Sequence, residues 1–283
     1  WQRGTSFSAS GAASTSTYTA DRWNSGANSN ITISRVSASS PNSIYGIRIQ
    51  KNSGTTTGGD AFICHTLEYS NVAMLAGKTV TLSFNVKKGS DFSGSSVYCV
   101  PRFGTAIDEG SNLGYNSQWT GSNQIVQTVS PTLDSVRYTK TFTVPSTSKE
   151  MMLLMGVNSF SSSSSGTNDW IEFEKIQLEI GSVATDFSRA GGDIQGELAK
   201  CQRYYWRAST DVTLNGIPFV GFASANSTTV ANAWVRFPVS MRSNGPTSID
   251  AGNPRLYAGT TQYNPNTVTL YNATKDQAQL SVT

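Results

Sequence analysis

Residues 80–86 read Val80-Thr81-Leu82-Ser83-Phe84-Asn85-Val86. Successive side chains of an extended chain point to opposite faces, so Val80, Leu82, Phe84 and Val86 share one side and Thr81, Ser83 and Asn85 the other. One apolar face and one hydroxyl-rich face predict an antiparallel strand with the core on one side and water on the other. The same period recurs at 31–36, 45–50, 61–67 and 97–101, and at 138–144, where Pro145 stops it. Glu150-Met151-Met152-Leu153-Leu154-Met155-Gly156-Val157 is a continuous apolar run of strand length, which predicts a central strand. Residues 170–179 predict a long strand whose acids point mostly outward. Short strands punctuated by Gly, Ser and Asn indicate an antiparallel sandwich over residues 1–187. The Ser-rich tract 159–168 reads as a loop.

The pattern changes at Ser188-Arg189-Ala190-Gly191-Gly192. Asp193 is a helix N-cap candidate, and Ile194, Leu198, Cys201 and Tyr205 follow at spacings of four, three and four. Residues 188–206 are thus expected to form a linker and one amphipathic helix, with Gly196 costing it about 1 kcal/mol relative to Ala. A β pattern resumes over 207–283, at 210–214, 217–225 and 229–237. So short a segment makes a thin core, and oligomerisation is a common remedy. The stripe Ile194, Leu198, Cys201, Tyr205 is near a heptad. It would serve either as the seam of a trimer or as the face that docks on its own chain.

Composition supports the same class. The chain has 283 residues, 37% of them hydrophobic, and only 14% charged against a globular norm of about 25%. A net charge of +3 is too small for binding nucleic acid on charge alone. No apolar run approaches the roughly 20 residues that span a bilayer. The first residue is Trp1 rather than Met, as expected of a processed chain or of a piece of a longer one. One His, His65, removes most imidazole-based metal sites, and three cysteines without a CxxC pair argue against structural zinc. No metal or cofactor is expected. Cys64 and Cys99 read as inward strand positions; a bridge between them needs Cα atoms within about 7 Å. Buried free thiols are the simpler expectation, and suit assembly in a reducing cytoplasm.

Two stretches carry a family resemblance. Tyr18-Thr19-Ala20-Asp21-Arg22-Trp23, Leu75 through Phe84, and Ile176 through Phe187 resemble the jelly-roll, carbohydrate-binding-module-like domain of phage tail-fibre and virion structural proteins. Glu197 through Trp206, followed by Val235-Arg236-Phe237-Pro238-Val239-Ser240-Met241-Arg242, resembles the helix and small carboxy-terminal β domain that follow such jelly rolls. The resemblance implies a virion location after assembly in the host cytoplasm, other virion proteins as partners, often a homotrimer, and a host-surface glycan as ligand. A structural calcium ion near the chain ends is also a feature of such jelly rolls. No dense acidic loop supports one here, and Asp186 and Asp21 are the available carboxylates. A capsid-decorating or fibre-forming protein without a ligand is the alternative, and a polysaccharide depolymerase the third.

Sugars are held by aromatic faces against pyranose rings and by amides, acids and guanidinium groups on their hydroxyls. The loop-like stretch Asn112-Leu113-Gly114-Tyr115-Asn116-Ser117-Gln118-Trp119 supplies two large aromatics in a polar context. Tyr115 and Trp119 are therefore the candidate stacking residues, with Arg102 and Asn116 as polar helpers. The competing reading of Trp119 is a plug at one end of the sandwich. Trp23 and Trp170 read as packing residues. Glycoside hydrolysis needs two carboxylates about 5–10 Å apart. Glu172 and Glu174 share a strand face, but read as the solvated side of an ordinary strand. His65 follows Cys64 directly, so the two point to opposite faces and form no dyad; His65 reads as a hydrogen-bonded strand residue. The Gly-rich stretch 54–60 lacks the GK[ST] ending of a phosphate loop and reads as a turn. No catalytic residue is expected.

Overall fold

The computed structural model describes residues 4–9, 17–107, 109–110, 118–208, 221–243, 246, 249, 256–258 and 261–283. The chain divides into two compact units, Trp1–Ser188 and Arg189–Thr283.

In chain order the first unit contains β1 (Ser6–Ala9), β2 (Thr17–Tyr18), β3 (Trp23–Ala27), β4 (Ile31–Ser37), β5 (Tyr45–Lys51) and β6 (Gly59–Leu67). The short helix α1 (Tyr69–Val72) precedes β7 (Thr79–Lys88), β8 (Ser96–Gly104), β9 (Asn123–Gln124) and β10 (Gln127–Val129). Then come β11 (Val136–Thr143), β12 (Glu150–Phe160) and β13 (Trp170–Ile180). One sheet has the order β1-β4-β5-β13-β7-β11, the other β10-β8-β12-β6-β3-β2 with β9 also on β8. From β5 to β13 the chain passes back and forth between the sheets, giving an antiparallel jelly-roll sandwich.

Alternation explains the core. Val80, Leu82, Phe84 and Val86 are all buried between the sheets, where Phe84 meets Phe173 with ring centroids 6.1 Å apart. The apolar run 150–157 lies in β12, between β6 and β8, and is buried on both faces. Met151, Leu153 and Met155 face the core, while Met152 and Leu154 join Phe62, Cys64, Val100 and Trp119 in a second cluster on the outer side. Cys64 lies opposite Leu154, which lies opposite Val100, whereas Cys99 is opposite Met155. The two thiols therefore sit on opposite faces and two strands apart, roughly 10 Å, too far for a bridge. Both are free.

The outer side of the first sheet departs from its sequence reading. Thr81 and Ser83 are buried rather than wet, because the segment after β13 crosses over them. Thr81 Oγ1 donates to Gly181 O (2.7 Å), and Arg137 Nη2 donates to Ser83 Oγ (3.0 Å) and to Thr185 O. Glu172 and Glu174 are likewise buried, not solvated. Glu172 takes Arg48 Nε at 2.7 Å and Lys87 Nζ at 2.9 Å, and both cations lie over the Trp170 ring. Glu174 accepts the backbone N–H groups of Ser39 (2.8 Å) and Ser40 (3.0 Å). Burial pushes its carboxyl upward, but these and the serine hydroxyl bonds outweigh that and hold it below the ordinary range.

In β13, Ile171 and Phe173 face the core, yet so do Ile176 and Leu178, which strict alternation forbids. The pairing to β7 shifts by one residue between Glu174 and Gln177, with Lys175 at φ 51. That bulge resets the parity of the strand.

The second unit holds α2 (Ile194–Gln202) and β14 (Ala223–Ala225), β15 (Ala231–Arg236), β16 (Leu256–Ala258), β17 (Thr261–Tyr263), β18 (Val268–Ala273) and β19 (Gln277–Val282). Its main sheet runs β14-β15-β19-β18, and β16 pairs with β17. Val235, Ala278 and Val282 are buried on one side of that sheet. Asp193 caps α2, accepting the Gly196 N–H at 2.7 Å. Gly196 is required there: a Cβ would stand 2.1 Å from Gly191 O. The helix ends at Gln202, so Tyr205 lies beyond it and does not extend the stripe of Ile194, Leu198 and Cys201. The expected strand 210–214 and the start of 217–225 lie outside the described residues. Among the described residues, no helix is long and apolar enough to cross a membrane, and no three His, Cys, Asp or Glu groups converge as metal ligands.

Candidate functional site

The outward side chains of β8 are Ser96, Tyr98, Val100 and Arg102, at every second residue. They line one wall and part of the floor of a groove of about 370 Å³ on the open face of the second sheet. Its floor is apolar: Val100 and Leu154 are buried in the outer cluster, with Tyr98 packed against them. Tyr98 lies opposite Gly156, and Gly156 lies opposite Phe62. A Cβ on Gly156 would stand 2.2 Å from Ala61 O and 2.9 Å from Phe62 Cβ, so glycine lets the Ala61–Phe62 segment pack closely against this row. Gln124 and Thr128 rim the groove along β9 and β10, and Asp60 and Asn158 stand at the far end. Asp60 is held by the Ser159 N–H at 2.8 Å. From Ser96 to Arg102 the trough runs about 20 Å at strand rise. Its volume is in the range of small-molecule sites.

Several solved structures show a distant similarity to the chain. The "enzymatically active domain" of tailspike protein 4 of bacteriophage CBA120 matches at 14% identity and a TM-score of 0.39, over 56% of this chain and 19% of that one. The chain thus spans about a fifth of that tailspike domain. The C-terminal family 22 carbohydrate-binding module of Clostridium thermocellum Xyn10B matches at 9% identity and TM-score 0.39, over 59% of this chain and 91% of that one. The CBM22-1 xylan-binding domain of Paenibacillus barcinonensis Xyn10C matches at 10% identity and TM-score 0.35, over 59% and 91%. No protein-family model and no curated protein sequence matches the chain. At such identities nothing about ligand or activity transfers to this chain.

The sequence candidates divide. Arg102 does line the groove. Trp119 does not offer a stacking surface: it is 3% exposed, packs over Gly104, and donates Nε1–H to Gly110 O at 2.8 Å. Tyr115 and Asn116 lie outside the described residues. Tyr98, Gln124 and Asn158 were missed. The period-two set Ser96, Tyr98, Val100, Arg102 contained the signal, since it places an aromatic and a cation on one strand face. Glu172 and Glu174 belong to the other sheet and are occupied by structural partners.

His65 departs from its expected hydrogen bonding. Its ring stacks at 5.1 Å on Trp23, and Nε2 is sealed from solvent with no hydrogen-bond partner. Burial first, and the Arg22 charge second, push its pKa down to about 3, so it is neutral at physiological pH. Cys64 lies on the groove side of the same strand. Burial pushes its thiol up to about 12, against a smaller opposite pull from Arg102. Such a thiol is no nucleophile at neutral pH.

Proposed function

We propose that the protein is a phage virion component that holds a host-surface glycan in this groove and does so without breaking bonds. The carrying observation is the groove itself: a tyrosine ring and an apolar floor, rimmed by Arg102, Gln124, Thr128, Asn158 and Asp60. An aromatic face suits the C–H face of a pyranose ring, and the amides, guanidinium and hydroxyl suit its equatorial hydroxyls. Asp60 is the carboxylate of the described lining, and hydrolysis needs two. The sequence resemblance described above supports the virion setting and the other virion proteins as partners.

Self-association, as a homotrimer, belongs to the same proposal. Ile194 and Leu198 on α2 are 58% and 42% exposed, an apolar pair left about half open among the described residues.

Titration of the chain on a glycan array tests the groove. Tyr98→Ala is expected to weaken the bound glycans about tenfold, the loss of one aromatic stack with its buried area. Unchanged titration by Tyr98→Ala would remove the groove from the account, and so would an array on which the wild-type chain binds nothing.

A further inference from the structure

The second unit carries an open aromatic face unlike the groove of the first. In β15, Ala231, Ala233 and Val235 point to the buried side of the sheet, so Asn232, Trp234 and Arg236 point away from it. Trp234 is 47% exposed and Phe222 80%. The two are directly opposed: Ala223 pairs with Ala233, and the ladder continues with the Trp234 N–H on Phe222 O at 3.0 Å. Their side chains therefore share the outer face. Gly221 seals this end of the ladder, since a Cβ there would lie 1.8 Å from Trp234 O.

On the other side of Trp234 stands Gln279 of β19, and beyond it Asn272 of β18. Asn272 Nδ2 donates to Gln279 Oε1 at 3.2 Å, which orients both amides. That bond leaves the Gln279 amide N–H groups and the Asn272 carbonyl oxygen free of protein partners among the described residues. Asn232, Gln277, Ser224 and Ser281 continue the same uncharged character, and Arg236 is the charge on this face among the described strands.

We infer that this face is a second carbohydrate site, taking a neutral polysaccharide chain across Phe222 and Trp234 with the Gln279–Asn272 pair on its hydroxyls. Composition argues against a second copy of the chain as the occupant. Beyond Phe222 and Trp234 the face is mostly amide and hydroxyl groups, whereas the buried centre of a homodimer interface is mainly apolar. A flat strip of two aromatics and oriented amides matches the alternating apolar and hydroxyl surfaces of a sugar chain, and its amides and hydroxyls outnumber its single charge, Arg236, which suits a neutral chain.

The test uses the full chain and affinity electrophoresis through gels containing xylan, hydroxyethyl cellulose, galactomannan or dextran. A Tyr98→Ala background weakens the groove, so that retardation by the second unit stands out. In that background at least one gel is expected to retard the protein, and adding Trp234→Ala should weaken the retardation about tenfold. Phe222→Ala, at a position too exposed to threaten folding, should act in the same direction. Retardation unaffected by both changes would overturn the inference, as would free migration of the Tyr98→Ala chain in every gel. A molar mass that falls on Trp234→Ala would assign the face to protein contacts and overturn it too. An array unaffected by Tyr98→Ala strikes only the groove, so the two sites fail separately.

Discussion

His65 is where mild acid first acts on the fold. Its native pKa, near 3, lies far below the unfolded value of about 6.5. Below pH 6.5 the unfolded chain binds a proton that the native chain refuses, so stability is full above that pH and falls as the pH drops towards 3. The expected loss is about 2 kcal/mol by pH 5. Glu174 adds its own loss only lower, below the ordinary carboxylate pKa of about 4.3, because its native value is depressed. Denaturant melts at pH 7 and pH 5 should show the first loss in the wild type and not in His65→Gln; equal losses would refute the assignment. At this scale the sequence told which face a residue takes, and little about what waits there. Thr81, Glu172 and Glu174 point outward as alternation requires, yet chain segments far away in sequence cover them. The contact from Ser39 to Glu174 spans 135 positions, and no local pattern reports such a neighbour.

The strands were legible because each buries one face, and period two is the direct record of that burial. The continuous run at 150–157 was legible as a central strand for the same reason, since both its faces are covered. The bulge at Lys175 was not legible, because Trp170 to Ile180 reads as apolar and polar positions in either phase. Its left-handed backbone, φ 51, is set by the register that Phe173 and Ile176 both demand. Deleting Lys175 would remove the extra residue and leave Ile171, Phe173, Ile176 and Leu178 on the core side by plain alternation. The deletion variant is therefore expected to keep a cooperative thermal transition. Loss of that transition would show that the bulge does more than reset the parity of the strand. The end of α2 was missed by about one turn: Tyr205 has the right spacing but follows the last helical residue, Gln202.

For the molecule as a whole, the division near residue 188 was visible as a change from period-two strands to glycines and a capped helix. The groove was not, because it is made by rows across strands, Val100 beside Leu154 and Ser96 beside Asn158, that are far apart along the chain. The self-association proposal belongs at this scale: light scattering at micromolar concentration is expected to give three times the chain mass, and Leu198→Lys to reduce it. A wild-type mass equal to one chain would refute it. The placement of Cys64 and Cys99 on opposite sides of one sheet has a practical outcome. Burial pushes both thiols up to about 12, while Cys201 on α2 is partly open. A maleimide dye at neutral pH should thus add once to the native Leu198→Lys chain, whose helix stripe is freed from any seam, and three times after denaturation, as read by mass spectrometry. Two additions to the native chain would mean that one strand cysteine is reachable. With a single reactive handle, a fluorophore can be tethered to the helix while the groove of the first unit and the Trp234 face of the second stay chemically untouched.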